Sequence, residues 1–283
     1  MSASWVAVRA GMRRGWIELK YSFSNVNDVV TLVIFTAIIV GVMLRTRGTT
    51  VPGTHFSLGT TMQASMIGMN VGFNGLAMLG GLLAVEREDG TLLRAKATPH
   101  GMTGYLIGKV VMVSGTILIS VAVSLISGAF LFTGLTVGSA AAWLTLIPVL
   151  LIGLVATLPI GAVLGSLIPS ARSAGLLTLA SGALIAISGI FYPITHLPHW
   201  LQWIGQVFPF YWLGLGMRSA LLPASLASVE IGHSWRHLAT FGMLGAWAVI
   251  GLLLAPVVLR RMARRESGSS VAARREKAML RVG

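Results

Sequence analysis

The residues of this 283-residue chain best placed to do chemistry lie in one run: Glu86-Arg87-Glu88-Asp89-Gly90-Thr91-Leu92-Leu93-Arg94-Ala95-Lys96-Ala97-Thr98-Pro99, continuing through His100 to Gly108-Lys109. The run holds three of the eight acidic residues. Acids come first and bases later, which complements a helix dipole. Leu92 and Leu93 add apolar contacts, so the pattern suits docking to a partner better than turning between two helices. Catalysis is a poor fit. The nearest approach to a phosphate-binding Gly-x-x-x-x-Gly-Lys-Ser/Thr loop is Thr103 to Val110, which lacks the first glycine and the final hydroxyl that would hold magnesium. His233 and His237 have the spacing of zinc ligands on a helix, but no Glu follows His233, so the zincin motif is absent. There is no cysteine, hence no thiolate chemistry and no disulfide framework. No Ser-His-Asp or paired-carboxylate arrangement falls within the apolar tracts.

Two long apolar tracts flank the charged run. No Asp, Glu, Lys or Arg lies between Arg47 and Glu86, or between Lys109 and Arg172. Apolar residues make up 55% of the chain and charged residues 10%, against about 25% charged in a soluble domain. This predicts an all-α polytopic membrane protein with six spans: roughly 28–44, 58–85, 105–135, 141–168, 173–192 and 238–259. Pro148 and Pro159 are expected to kink the fourth, and Pro169 to stop it. Residues 4–22 read as an interfacial amphipathic helix mixing Trp5 and Trp16 with Arg9, Arg13 and Arg14. Between 193 and 223 four prolines and six aromatics predict short re-entrant or interfacial helices before the last span. A basic tail, 260–283, follows the membrane domain of 1–259, and its natural partner is anionic lipid rather than nucleic acid. No cleavable leader or lipidation motif is recognised.

Lysine and arginine set the orientation. With the N-terminus inside, the first segment contributes four, the charged run with Lys109 four, Arg172 one and the tail eight, so 17 of the 21 face the cytoplasm. Arg45, Arg47, Arg218 and Arg236 face out. Both termini are therefore expected in the cytoplasm of a multi-pass protein of the inner or plasma membrane. On the second span, Asn70 and Asn74 each fall within about 20° of Gln63, on either side of it, at a helical 100° per residue. They suit either the lining of a translocation path or hydrogen bonds between helices. Met62, Met66 and Met69 lie beside them. The spacings Gly161/Gly165 and Gly101/Gly104/Gly108 predict close helix packing.

With these features in view, the chain resembles the permeases of ABC type-2 exporters. Those carry, after the second span, Glu-x-Glu-x-Gly-Thr-Leu-x-x-x-x-x-Thr-Pro and then Gly-Lys, matched here by Glu86, Glu88, Gly90, Thr91, Leu92, Thr98, Pro99 and Gly108-Lys109. A second shared stretch runs from Ser188 through Phe191-Tyr192-Pro193 and Phe208-Pro209-Phe210-Tyr211-Trp212 to Arg218. The chain departs at Lys96 and Ala97, where many relatives have a bulkier apolar pair. The resemblance implies that residues 86–104 form a coupling segment, with Arg87, Asp89 and Arg94 joining the matched residues, which docks on a separate cytoplasmic ABC ATPase. ATP and magnesium would be bound on that partner, with no cofactor on this chain and no enzyme activity of its own. It also implies pairing with a second permease, as a homodimer or heterodimer. The expected cargo is hydrophobic or amphipathic (drug, lipid or glycolipid), as in efflux linked to antibiotic resistance. Export of polysaccharide or glycoconjugate precursors is the alternative. An ion-coupled secondary transporter is disfavoured by the lack of a mid-span ionisable residue and of an internal repeat.

Overall fold

A computed structural model describes residues 3–98, 100–168 and 171–265. Pro99, Pro169 and the tail residues Arg274, Arg275, Lys277 and Arg281 lie outside them. The described residues are helical, with a single isolated bridge between Thr50 and Ser57. In order, the elements are α1 (Ala3–Ser24), α2 (Val26–Arg45), α3 (Leu58–Phe73), one π-helical turn (Asn74–Met78), α4 (Leu79–Glu88), α5 (Thr91–Lys96), α6 (Gly101–Leu131), α7 (Ala140–Leu167), α8 (Ala171–Ala186), α9 (His199–Val207), α10 (Pro209–Leu221) and α11 (His237–Arg265).

Among the described residues, four helices are long and apolar enough to cross a membrane: Leu58–Glu88, Gly101–Leu131, Ala140–Leu167 and His237–Met262. The first is α3, the π turn and α4 in one rod of 31 residues, about 46 Å at helical rise. It carries Glu86 and Glu88 on its last turn, three residues past the expected end of the span. The third expected span stops at Leu131, not near 135. The fifth differs more. α8 has 16 residues and ends at Ala186, giving about 24 Å against the 30 Å of a hydrocarbon core. Gly189, with φ of +63°, then turns the chain, so the expected helix through Tyr192 is replaced by a turn feeding α9 and α10. α7 stays helical through both Pro148 and Pro159.

Glycine sets the helix spacing. A Cβ on Gly161 would lie 2.0 Å from the Gly75 carbonyl oxygen, and one on Gly165 would lie 2.5 Å from that of Gly80. The expected Gly161/Gly165 contact therefore seats α7 against the π turn and α4, backbone on backbone. α1 uses the same device. Gly11 meets Gly104, Gly15 meets Gly108 and Leu19 covers Gly115. These pairs rise together in number, so α1 and the first half of α6 run in the same direction. α10 packs on α3 with its Leu213 backbone against Gly68 and the Phe210 ring over Gly72.

The other end of the molecule is held by one side chain. Arg218, on α10, is 2% exposed. Its Nε donates to Glu230 Oε1 at 2.6 Å, and its Nη1 donates to Ser65 Oγ at 2.9 Å and to the Gly189 carbonyl at 3.2 Å. It thus joins α10, α3, the turn after α8 and the loop before α11. Nearby, Arg236 stacks over Trp212 and donates to Gln206 Oε1 at 2.7 Å.

Replacing Gly161 with Ala forces a backbone-on-backbone overlap and should cost about 1–3 kcal/mol. It should lower the melting temperature of the purified protein. Gly242→Ala on α11, with nothing within 4 Å of the added carbon, should be neutral or stabilising by about 0.5–1 kcal/mol. Equal melting temperatures for the two variants would refute the close-packing assignment.

Candidate functional site

The charged run folds into two helix ends and the short helix α5. The left-handed conformation of Gly90, φ +82°, makes the break between α4 and α5; other residue types adopt it only at a cost. Asp89 Oδ1 accepts from the Thr91 backbone N–H at 2.8 Å and so closes the turn that leads into α5. Arg94 donates to the Thr91 hydroxyl at 3.0 Å, and the Thr98 hydroxyl donates to the Ala95 carbonyl. α5 is anchored through Leu92, 1% exposed, and Ala95. Asp89, Arg94, Lys96 and Thr98 are exposed, while Glu88 and Thr91 are half-buried.

The sequence motif therefore splits into two sets. One set points inward. Arg87 Nη1 donates to the carbonyls of Ser166 and Ile168 at the end of α7, where a cation satisfies otherwise orphaned acceptors. Gly90 and Leu92 are buried. Glu86 is taken up within the chain: it is ion-paired with Lys109 and accepts from the Tyr105 hydroxyl at 2.6 Å. The other set faces outward and comprises Asp89, Arg94 and Thr98, with Glu88 at its edge. Beside it, α1 and residues 98–105 border an open groove of about 440 Å³, lined by Val6, Ala10, Arg14, His100 and Tyr105 among others.

Lys109 centres a clamp that reading the sequence did not find. Its side chain is 5% exposed and bridges Glu86, at the end of α4, to Glu18 of α1 at 2.6 Å. Arg14 donates to the other Glu18 oxygen at 2.7 Å and lies over the Tyr105 ring. Two carboxylates face two cations, so the cluster is neutral. Burial works against ionising Glu18, but the hydrogen bonds from Lys109 and Arg14 outweigh it and hold this carboxyl below its ordinary range. A signal was available in the sequence. Lys109 is the one charge inside an otherwise uncharged 31-residue helix, and a buried ammonium requires carboxylates. α1 was read from its Trp and Arg residues. Its packed face is the opposite one, built on Gly11, Gly15 and Leu19.

The three amides separate. Gln63 Nε2 donates to the Ser124 carbonyl at 2.6 Å and the Ser124 hydroxyl at 3.1 Å, a link between α3 and α6. Gln63 and Asn70 share a cavity with Met66 and Met69. Asn74 does not line it and donates to the Asn70 carbonyl at 3.0 Å. Asn74 closes α3 in regular helical geometry, with its backbone N–H on the Asn70 carbonyl, and the π turn widens the rod only beyond it. Among the described residues no group of three or more His, Cys, Asp or Glu could hold a metal ion.

A long helical rod ending in a charged, capped turn, followed by further apolar helices, defines a membrane permease domain. The ABC-2 type transporter family model matches residues 7–222, and the chain belongs to that family. No individual curated protein matches it. Membership makes this a membrane protein and the transmembrane component of an ABC system, and implies an ABC ATPase as its partner.

Replacing Lys109 with Met leaves Glu18 and Glu86 facing each other, which should cost about 3–5 kcal/mol. The melting temperature should fall, and α1 should become sensitive to limited proteolysis. Adding Glu18→Gln and Glu86→Gln should restore much of the loss; a triple variant no more stable than the single one would refute the clamp. Because folding lowers the Glu18 pKa, its contribution is full above its ordinary value of 4.5 and fades as the pH falls through the lowered one. Thermal stability should drop with acid in that window, and less steeply in Glu18→Gln.

Proposed function

We propose that this chain is the membrane subunit of an ATP-driven exporter and moves a hydrophobic or amphipathic molecule out of the cell. A separate cytoplasmic ATPase that binds ATP and magnesium powers it. The observation that carries this reading is the outward-facing set on the α4–α5 corner: Asp89, Arg94 and Thr98 exposed over the buried anchors Gly90, Leu92 and Ala95. A rigid charged corner beside an open groove suits a soluble partner that must push on it. Glu86 and Arg87 serve differently. They tie the corner to α1, α6 and α7, so that force on the corner moves four helices together. The 17-to-4 division of basic residues supports a cytoplasmic position for both termini and for the corner. The outer segments are short, so no large external domain captures ligand. The sparse polar groups of the long helices favour a membrane-dissolved cargo over a long sugar chain. A second permease copy, identical or not, completes the path between two such subunits.

The purified chain should hydrolyse no ATP, while co-expression with its ATPase should give a stable, ATP-hydrolysing complex. Glu88→Lys with Arg94→Glu should weaken that complex about tenfold. Glu86→Lys, which breaks the pair with buried Lys109, should lower the permease melting temperature more than that double variant does. Unaltered complex affinity in the Glu88/Arg94 variant would remove the docking assignment.

A further inference from the structure

The cavity shared by Gln63 and Asn70 is not part of the docking end. It lies between α2, α3 and α6 and encloses about 150 Å³. Its polar wall is made of side chains such as Thr36, Gln63, Asn70, Ser120 and Ser124, and among the described residues no Asp, Glu, Lys, Arg or His lines it. Part of that polarity is already committed. The Gln63 amide donates to Ser124, and the Ser127 hydroxyl donates to the Ser124 carbonyl. Asn70 differs: its Oδ1 is buried and has no hydrogen-bond partner among the described residues. A buried acceptor without a donor is costly, and the cost is relieved when a donor arrives. The mouth has the opposite character. Ile119 and Val123 line the cavity and are also 38% and 49% exposed, so the space opens onto an apolar helix face.

We infer that this cavity seats the uncharged head of an amphipathic molecule. That head carries a hydroxyl or amide N–H, which donates to Asn70 Oδ1, and the alkyl part lies along the exposed face of α6. The volume is below the roughly 300–1,000 Å³ of a site that encloses a drug-sized ligand, so one end of the molecule enters and the rest stays outside. A phosphate, carboxylate or ammonium head is excluded, because the wall offers no countercharge. Met66 supplies an unbranched, polarisable wall that adapts to heads of different shape. This inference rests on the export reading and narrows its cargo class.

The test uses the full chain in lipid nanodiscs and two photoreactive probes. One is a long-chain primary alcohol with a mid-chain diazirine; the other is its methyl ether, which accepts hydrogen bonds but donates none. The alcohol should label peptides covering 63–70 and 119–127 about fivefold more than the ether, the ratio expected of one hydrogen bond. Asn70→Leu should bring the two probes to parity. Equal labelling by alcohol and ether in the unmodified chain overturns the seat, and this comparison holds even where Asn70→Leu fails to fold. So does a folded Asn70→Leu that keeps the preference. The complex with its ATPase separates the two proposals. Selective labelling without alcohol-stimulated ATP hydrolysis keeps the seat and removes its link to export. Stimulation without selective labelling keeps export and removes the seat.

Discussion

A lysine ammonium that cannot reach water governs the end of this molecule where α1, α4 and α6 meet. Lys109 sits a little over two turns into α6, 4% exposed, and desolvating it is acceptable only if carboxylates surround it. One is Glu86, at the end of the rod that precedes the charged corner; the other is Glu18, on α1. Satisfying Lys109 therefore fixes three helix segments relative to one another. The glycine contacts of α1 with α6 let the backbones come close enough for the short Glu18 bridge, so the packing and the electrostatics depend on each other. The corner that projects from this base can be small because it is not self-supporting.

This division changes how the charged run is understood. Its continuity in the sequence suggests a single surface, but its residues do two jobs. Arg87 satisfies carbonyls at the end of α7, and Glu86 satisfies Lys109. Gly90 supplies a turn, and Leu92 roots the short helix in the core. The exposed part of the run is narrower, at Asp89, Arg94 and Thr98. A substitution at Glu86 would act on the buried clamp, and one at Arg94 on the exposed surface.

Much of the fold was legible because apolar runs and glycine spacing act locally. The starts of α3 and α7, the break near Thr98 and the Gly161/Gly165 contact all follow from neighbours in sequence. Four features did not follow. The π turn Asn74–Met78 packs against Gly161 and Thr157, which lie far along the chain. α8 is shorter than its apolar run because Gly189 turns before the run ends. Glu86 was assigned to a partner because its own partner, Lys109, lies 23 residues on and reads as part of a family pattern rather than as a charge needing neutralisation. In the segments expected outside, Glu230 is the one acid against four arginines, Arg45, Arg47, Arg218 and Arg236, so its pairing with Arg218 did not follow from the sequence.

The Arg218 junction has a consequence for assembly. Its three contacts close loops of 12, 29 and 153 residues. Closure entropy grows with the logarithm of loop length, so the Ser65 contact carries about 2 kcal/mol more closure cost than the Glu230 contact. Closure cost alone therefore favours the carboxylate 12 residues on over the hydroxyl on α3 as the arginine's first partner. Paired in that way, α10 would meet α3 as an electrically neutral unit and not as a bare charge.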